Sequence, residues 1–311
     1  MSSRTATTLG EQFTEKRPGS GVWAYASLAA AALFWAGNYV IGARAVAALD
    51  PMSLAFLRWL LAVGPLFLIA RFMERPRWRE VFAAWPWLVA MGILGMLGHA
   101  LLLYTALQYT DAFTASVVNA FNPALITVAA SILLRQRLSL VTFGGVLLAL
   151  AGVLIALTDG DISHVATAGL GLGEWLMIGA IVVWTGYTIV GRRAPFVPPI
   201  TGTAIQAAVS VLVLGLVTVL LGGPELPGGP GEFFSLGYIA VFPSVFSYVL
   251  WNRALMVIPP SNAGIFLNLT TVFTAAISAV MGFVLTPVQI LGSSIVILGV
   301  VLVNGFWPRR R

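Results

Sequence analysis

The sequence predicts an all-α integral membrane protein with ten transmembrane helices arranged as two inverted five-helix repeats. Three observations lead there. Hydrophobic residues make up 59% of the 311-residue chain and charged residues only 9%, against about 25% charged residues in a soluble domain. The apolar residues fall in runs long enough to cross a hydrocarbon core of about 30 Å as helices, without the alternation that barrel strands need. The chain also repeats itself. Residues 33–45 read LFWAGNYVIGARA and residues 182–194 read VVWTGYTIVGRRA, so that Trp35 answers Trp184, Gly37 answers Gly186 and Gly42 answers Gly191 at an offset of 149. Ala106-Leu107 answers Ala254-Leu255 at an offset of 148, and Gly145 and Gly152 answer Gly292 and Gly299 at 147.

In chain order, the apolar windows fall at 22–43, 52–72, 85–108, 112–134, 139–157, 171–191, 199–221, 233–252, 260–283 and 286–306. Breakers separate them: Asp50-Pro51, Arg75-Pro76, Pro198-Pro199, the stretch GGPELPGGPG at 222–231, and Pro259-Pro260. Residues 1–21 are polar and read as a disordered cytoplasmic tail. The run that follows is too long for the apolar core of a cleaved signal and is read as a retained span. The domain reading is thus a first repeat at 22–157, an outer loop at 158–170, a second repeat at 171–306 and a basic cytoplasmic tail at 307–311.

Charge orients the helices. One set of loops and tails carries Arg4, Lys16, Arg17, Arg71, Arg75, Arg77, Arg79, Arg135, Arg137, Arg192, Arg193, Arg253 and Arg309 to Arg311, fifteen of the seventeen basic residues. The opposite loops hold Arg44 with Asp50, Asp111, Asp159, Asp161, Glu174, Glu225 and Glu232. The positive-inside rule then puts both termini in the cytoplasm, with the chain a multi-pass protein of a plasma (bacterial inner) membrane. Five spans per half make the second copy run upside down relative to the first, so a site between the halves can open to either face in turn.

Composition also excludes. The chain has no cysteine, hence no disulfide and no thiolate metal site. The net charge of +6 comes from helix flanks and forms no soluble basic face, which argues against nucleic acid. With two histidines, no cysteine, no HExxH and no paired acids within spans, the chain lacks a nucleophile–base pair or metal cluster for an intramembrane enzyme. No cofactor is expected. The expected partners are membrane lipid and a small-molecule substrate, and the chain is read as a monomer.

Ionisable groups within spans are the default functional candidates, since each costs about 2.5–3.5 kcal/mol at the bilayer centre. Here there are two, Arg58 in the second span and His99 in the third, and no Asp or Glu lies well inside a span. Arg58 is read as structural, snorkelling to the outer interface or bonding carbonyls. A cation-coupled exporter wants a buried carboxylate, and a phosphate carrier wants several buried bases. A neutral zwitterion needs neither: amides, hydroxyls and free backbone groups hold its ends while aromatic rings hold its side chain. Such groups occur at helical spacing: Trp35, Asn38, Tyr39 and Gly42; Trp184, Tyr187 and Thr188; Ser244, Tyr248, Trp251 and Asn252. His99 shares a face with Gly95 and Gly98. Asn119 and Asn122 share one in the fourth span, where Pro123 removes the amide that would bond the Asn119 carbonyl. Asn268 occupies the related region of the ninth. The candidate substrate-binding residues are therefore Trp35, Asn38, Tyr39, His99, Asn119, Asn122, Trp184, Tyr187, Tyr248, Trp251 and Asn268. An Asn within a span either faces a cavity or glues helices together. Trp23, Tyr25, Trp78, Trp85, Trp87 and Trp307 read as interfacial anchors, and His164 as a solvated loop residue.

The Trp/Gly first helix of each half, Asn122-Pro123 in the fourth and LLRQRLSLVTFGGVLLALAGVLI at 133–155 resemble the drug/metabolite transporter superfamily, and within it the EamA-type exporters, over about residues 25–306. The details are most similar to the YddG branch, whose members export aromatic and other neutral amino acids. Gln136 stands where EamA repeats usually place a Glu before Arg-Leu. The resemblance implies ten helices with an inverted repeat, and a central cavity lined by helices one, three, four, six, eight and nine. It implies export of neutral, aromatic or large apolar amino acids by alternating access. With no buried carboxylate, transport is expected to follow the cargo gradient without strict proton coupling. A multidrug or hydrophobic-metabolite exporter is the alternative, and an intramembrane enzyme or passive channel a distant one.

Overall fold

The computed structural model describes residues 20–133, 139–161, 170–258 and 263–304. Most of both expected tails (with Trp307), and the loop positions Gln136 and His164, lie outside the described residues. Every regular element among the described residues is helical, as a lipid solvent requires of a chain that must satisfy its own backbone.

Among the described residues, eight helices are long and apolar enough to span: α1 (Gly21–Ala45), α2 (Pro51–Met73), α3 (Trp85–Ala106), α4 (Ala112–Leu133), α5 (Leu140–Thr158), α6 (Leu172–Arg193), α7 (Pro199–Leu220) and α8 (Pro230–Leu255). Two shorter apolar helices follow, α9 (Phe266–Val280) and α10 (Pro287–Val303). The short helix Trp78–Ala83 joins α2 to α3. A 3₁₀ turn, Gly264–Asn268, leads into α9 and keeps its regular part, Leu269–Val280, short.

The helix starts follow from local chemistry. Asp50 caps α2, its carboxylate accepting from the amides of Met52 (2.9 Å) and Ser53 (2.8 Å), with Pro51 at the first position where no amide is missed. Asp111 caps α4 through the Thr114 amide at 2.9 Å, and Ser139 caps α5 through Thr142. The start of α7 is capped from outside its own helix. Glu74, at the end of α2, accepts from the amides of Ile200 (2.8 Å) and Thr201 (2.7 Å) and from the Thr201 hydroxyl (2.6 Å). That carboxylate ties the two halves together on the arginine-rich side.

The helices pair in an exchange pattern. Helix α2 packs on α7, and α5 on α10. Helix α1 packs on α8 and α9, while α6 packs on α3 and α4. Adding five to each helix number turns one list into the other. The α5–α10 seam is the tightest, and glycine makes it. A Cβ at Gly299 would lie 2.4 Å from the Ala149 amide nitrogen, and one at Gly152 would lie 2.6 Å from the Val296 amide nitrogen. Only hydrogen fits between backbones this close.

Two of the eight long helices contain a π stretch. Gly92–Gly98 in α3 and Phe242–Phe246 in α8 wind as π-helix. The His99 amide bonds the carbonyl of Leu94, and the Ser247 amide that of Phe242, each five residues back. The two stretches end 148 residues apart, the offset of the internal repeat. Each leaves a carbonyl that an indole meets: Trp59 Nε1 donates to Met96 O at 2.8 Å and Trp35 Nε1 to Pro243 O at 3.2 Å. Such bulges inside α-helices gather at functional sites.

Candidate functional site

Between the two irregular helices lies a cavity of about 800 Å³ measured out to its mouth. It has the usual composition of a small-molecule site, aromatic walls with a few polar groups. Helix α1 gives Trp35, Asn38 and Tyr39; α3 gives His99; α4 gives Asn119 and Asn122; α6 gives Trp184; α8 gives Tyr248; and the 3₁₀ turn before α9 gives Asn268. These are nine of the eleven residues selected from the sequence. The other two stand one layer back. Trp251 packs against Trp35 with ring centroids 5.4 Å apart, and Tyr187 against Trp184 at 4.8 Å. Helical spacing put them on the right face, but the cavity reaches only the nearer ring of each pair.

The aromatic wall is interlocked. Trp35 meets Tyr248 edge-on at 5.7 Å, Tyr248 tilts against Trp59 at 5.9 Å, and His99 lies 4.9 Å from Trp184. Glycine allows the approach on the third helix: a Cβ at Gly95 would fall 2.5 Å from the Tyr187 ring.

Polar groups divide into satisfied and open ones. Asn122 Oδ1 accepts from the Thr185 hydroxyl at 3.3 Å, which joins α4 to α6. Thr271 donates to the Ser116 carbonyl at 2.9 Å, joining α9 to α4. Asn268 is 2% exposed, and neither its Oδ1 nor its Nδ2 has a partner. An unpaired buried amide of this kind costs about 1–3 kcal/mol, and on a cavity wall it suits a ligand.

Sequence reasoning erred most on Arg58. It does not reach the interface. It is 5% exposed and lines the cavity with its neighbour Trp59, so α2 joins the six helices expected there. Its Nε–H donates to Ser244 Oγ at 3.0 Å, and its Nη1 donates to Tyr104 OH at 2.5 Å and Asn38 Oδ1 at 3.5 Å. The Tyr104 hydroxyl in turn donates to Asn38 at 2.8 Å, and Ser244 donates to Ile239 O at 2.6 Å. The guanidinium lies over Trp59, 4.8 Å from the ring centroid. Every recorded partner is neutral, and among the described residues no carboxylate lines the cavity. The signal was present in the sequence as a lone arginine seven residues into an apolar span.

Several expected anchors are at the periphery. Trp23 is 41% exposed with Arg253 over its ring at 4.9 Å, and Tyr25 stacks on Phe266 at 5.7 Å. Trp78 and Trp85 are also exposed.

Several proteins of similar sequence are named as transporters. The uncharacterized transporter YyaM of Bacillus subtilis is 27% identical, over 90% of this chain and 93% of its own length. An uncharacterized transporter of Archaeoglobus fulgidus is 29% identical over 80% of this chain and 85% of its own. A protein of Streptantibioticus cattleyicolor named "Probable terminal-alkyne amino-acid exporter" is 24% identical over 82% of each. A solved crystal structure superposes with a TM-score of 0.63 at 18% identity, covering 92% of this chain and 98% of its own, a likeness of fold. The sequence profile of the EamA-like transporter family matches twice, at residues 22–158 and 171–305, one match to each copy of the repeat. The chain is a multi-pass membrane transporter and belongs to the EamA-like transporter family.

Proposed function

We propose that the protein exports neutral amino acids with aromatic or large apolar side chains, by alternating access and down the cargo gradient. One observation carries the reading: a buried cavity walled by Trp35, Trp184 and Tyr248, provided with asparagines, and free of carboxylates among the described residues. The rings receive the apolar part of the cargo. Asn119, Asn268 and the group around Arg58 receive its polar end. In this reading Trp35, Asn38, Tyr39, His99, Asn119, Asn122, Trp184, Tyr248 and Asn268 contact or frame the cargo, with Tyr187 and Trp251 behind them. The relative named as an amino-acid exporter and the sequence resemblance to the YddG branch support the cargo class.

The five-plus-five exchange of helix contacts supports inverted halves about an axis in the membrane plane. The paired π stretches at repeat-equivalent positions are then where α3 and α8 flex as one half rocks on the other. Basic loops put both termini in the cytoplasm of a bacterial inner membrane. The protein is read as a monomer.

Counterflow tests this. Proteoliposomes preloaded with phenylalanine are given labelled phenylalanine outside, with no ion gradient. Transient accumulation of label is expected, and it should persist when a proton ionophore is present. No accumulation by folded, inserted protein would overturn the cargo class. Abolition by the ionophore would overturn the coupling.

A lipophilic-metabolite or multidrug exporter is the second reading, favoured by the aromatic wall alone. The uncompensated Arg58 opposes cationic drugs. Competition by lipophilic cations, with none by amino acids, would select it.

A further inference from the structure

We infer that Arg58 is the carboxylate anchor of the cavity, so that the transporter recognises its cargo by a carboxylate and does not require the amino group. The inference rests on the amino-acid reading above and deepens it.

A guanidinium keeps its charge in proteins and presents five donors in a planar fork. The fold holds Arg58 buried, where an unpaired charge is costly, and among the described residues it supplies no anion to pair with it. Ser244, Asn38 and Tyr104 take Nε and Nη1. These contacts fix the plane of the fork and leave Nη2 without a bond to any described residue, on a side chain that lines the cavity. The ring of Trp59 beneath adds cation–π support but cannot neutralise the charge. What the site lacks is an anion. A carboxylate accepting from Nη2 would supply it by a charge-assisted hydrogen bond.

The other end of a zwitterion finds no such partner. Asn268 Oδ1 is an unpaired acceptor, but among the described residues no acid lines the cavity to pair with an ammonium. The site is therefore charged in one sense only. A monocarboxylate without an amine neutralises it as well as an amino acid does, while an amine without a carboxylate adds like charge. The chemical class of the cargo is an aromatic or large apolar monocarboxylate, amino acids included.

The test uses four congeners with one side chain: phenylalanine, 3-phenylpropanoate, phenylalanine amide and phenethylamine. Their binding to the full-length purified protein is followed by tryptophan fluorescence and thermal shift. The expected result is that the two carboxylates bind and the two cations bind roughly tenfold more weakly or worse. Arg58→Gln should abolish the preference for acid over amide, and Arg58→Lys should keep part of it. A residue that only braces the fold would weaken all four congeners alike. Equal binding of amide and acid by the wild type would overturn the anchor while leaving the amino-acid reading standing. Binding of phenylpropanoate without phenylalanine would support the anchor and overturn the amino-acid reading. No binding of any congener would overturn both. The wild-type comparison decides even if Arg58→Gln fails to fold.

Discussion

In the first copy of the repeat, Asn38, Arg58 and Tyr104 meet around one guanidinium. In the second copy, the positions 148 or 149 residues later hold Tyr187, Gln206 and Asn252. These do not form a matching cluster: Tyr187 packs on Trp184, Asn252 donates to Thr203 at 3.3 Å, and Gln206 is buried with its Oε1 unpaired. Both copies start their second helix with a proline, Pro51 and Pro199, and both wind the third helix as π before the repeat-equivalent residues His99 and Ser247. The shared features are those that set backbone shape. The differing ones are side chains: Asn38 and Arg58 of the first set line the cavity, and none of the second set does. A duplicated scaffold keeps its backbone shape in both halves while a single half carries the buried arginine.

Substitutions made in pairs, one in each copy, separate what the halves share from what they do not. The largest contrast is expected between Arg58→Gln and Gln206→Met. The first removes a charged donor worth about 1.5–3 kcal/mol, or roughly 10- to 150-fold in phenylalanine affinity. The second relieves an unpaired acceptor and should leave affinity within about threefold. Equal losses would show that the halves contribute alike.

Next comes the glycine seam, where the halves are matched. Gly299→Ala places a methyl 2.4 Å from the Ala149 amide nitrogen, whereas Gly144→Ala, on the adjoining face of α5, meets nothing within 4 Å. Overpacking a tight contact costs about 1–3 kcal/mol. Thermal unfolding in detergent should fall by several degrees for the first and stay unchanged for the second.

A smaller effect should separate the two repeat-equivalent tryptophans. Trp35 gives its indole hydrogen to the Pro243 carbonyl in the opposite half, and no such bond is recorded for Trp184. Trp35→Phe leaves that carbonyl open, at about 1–2 kcal/mol, and should lower the unfolding temperature more than Trp184→Phe. The smallest contrast is Gly37→Ala against Gly186→Ala. A Cβ at Gly37 would collide with the Tyr238 hydroxyl, which can swing away, while one at Gly186 would rest 3.7 Å from Leu94. A drop of a degree or two for the first alone is expected by the same measurement.

Much of this was legible before any coordinates. Span limits came within three residues for α1 through α8, because in lipid the apolar run and the helix are nearly the same object. The wall residues were legible where polar and aromatic types recur every third or fourth residue. Three things were not. Helical phase shows the face of Tyr187 and Trp251 but not the depth of the cavity, so both were placed one ring too far forward. The π stretches need tertiary contacts, such as the indoles of Trp35 and Trp59, that a local pattern does not contain. Snorkelling and burial of Arg58 look identical in one dimension. The difference lies in Asn38, Ser244 and Tyr104, which come from three other helices and up to 186 residues away.

The central claim is that cargo sits between the two copies with its carboxylate on the first. A structure with bound 4-iodophenylalanine tests it most directly, since anomalous scattering locates the iodine and density locates the carboxylate. One iodine is expected among Trp35, Trp184 and Tyr248, with the carboxylate on Arg58. Iodine outside this cavity, or a carboxylate turned toward Asn268 and away from Arg58, would contradict it.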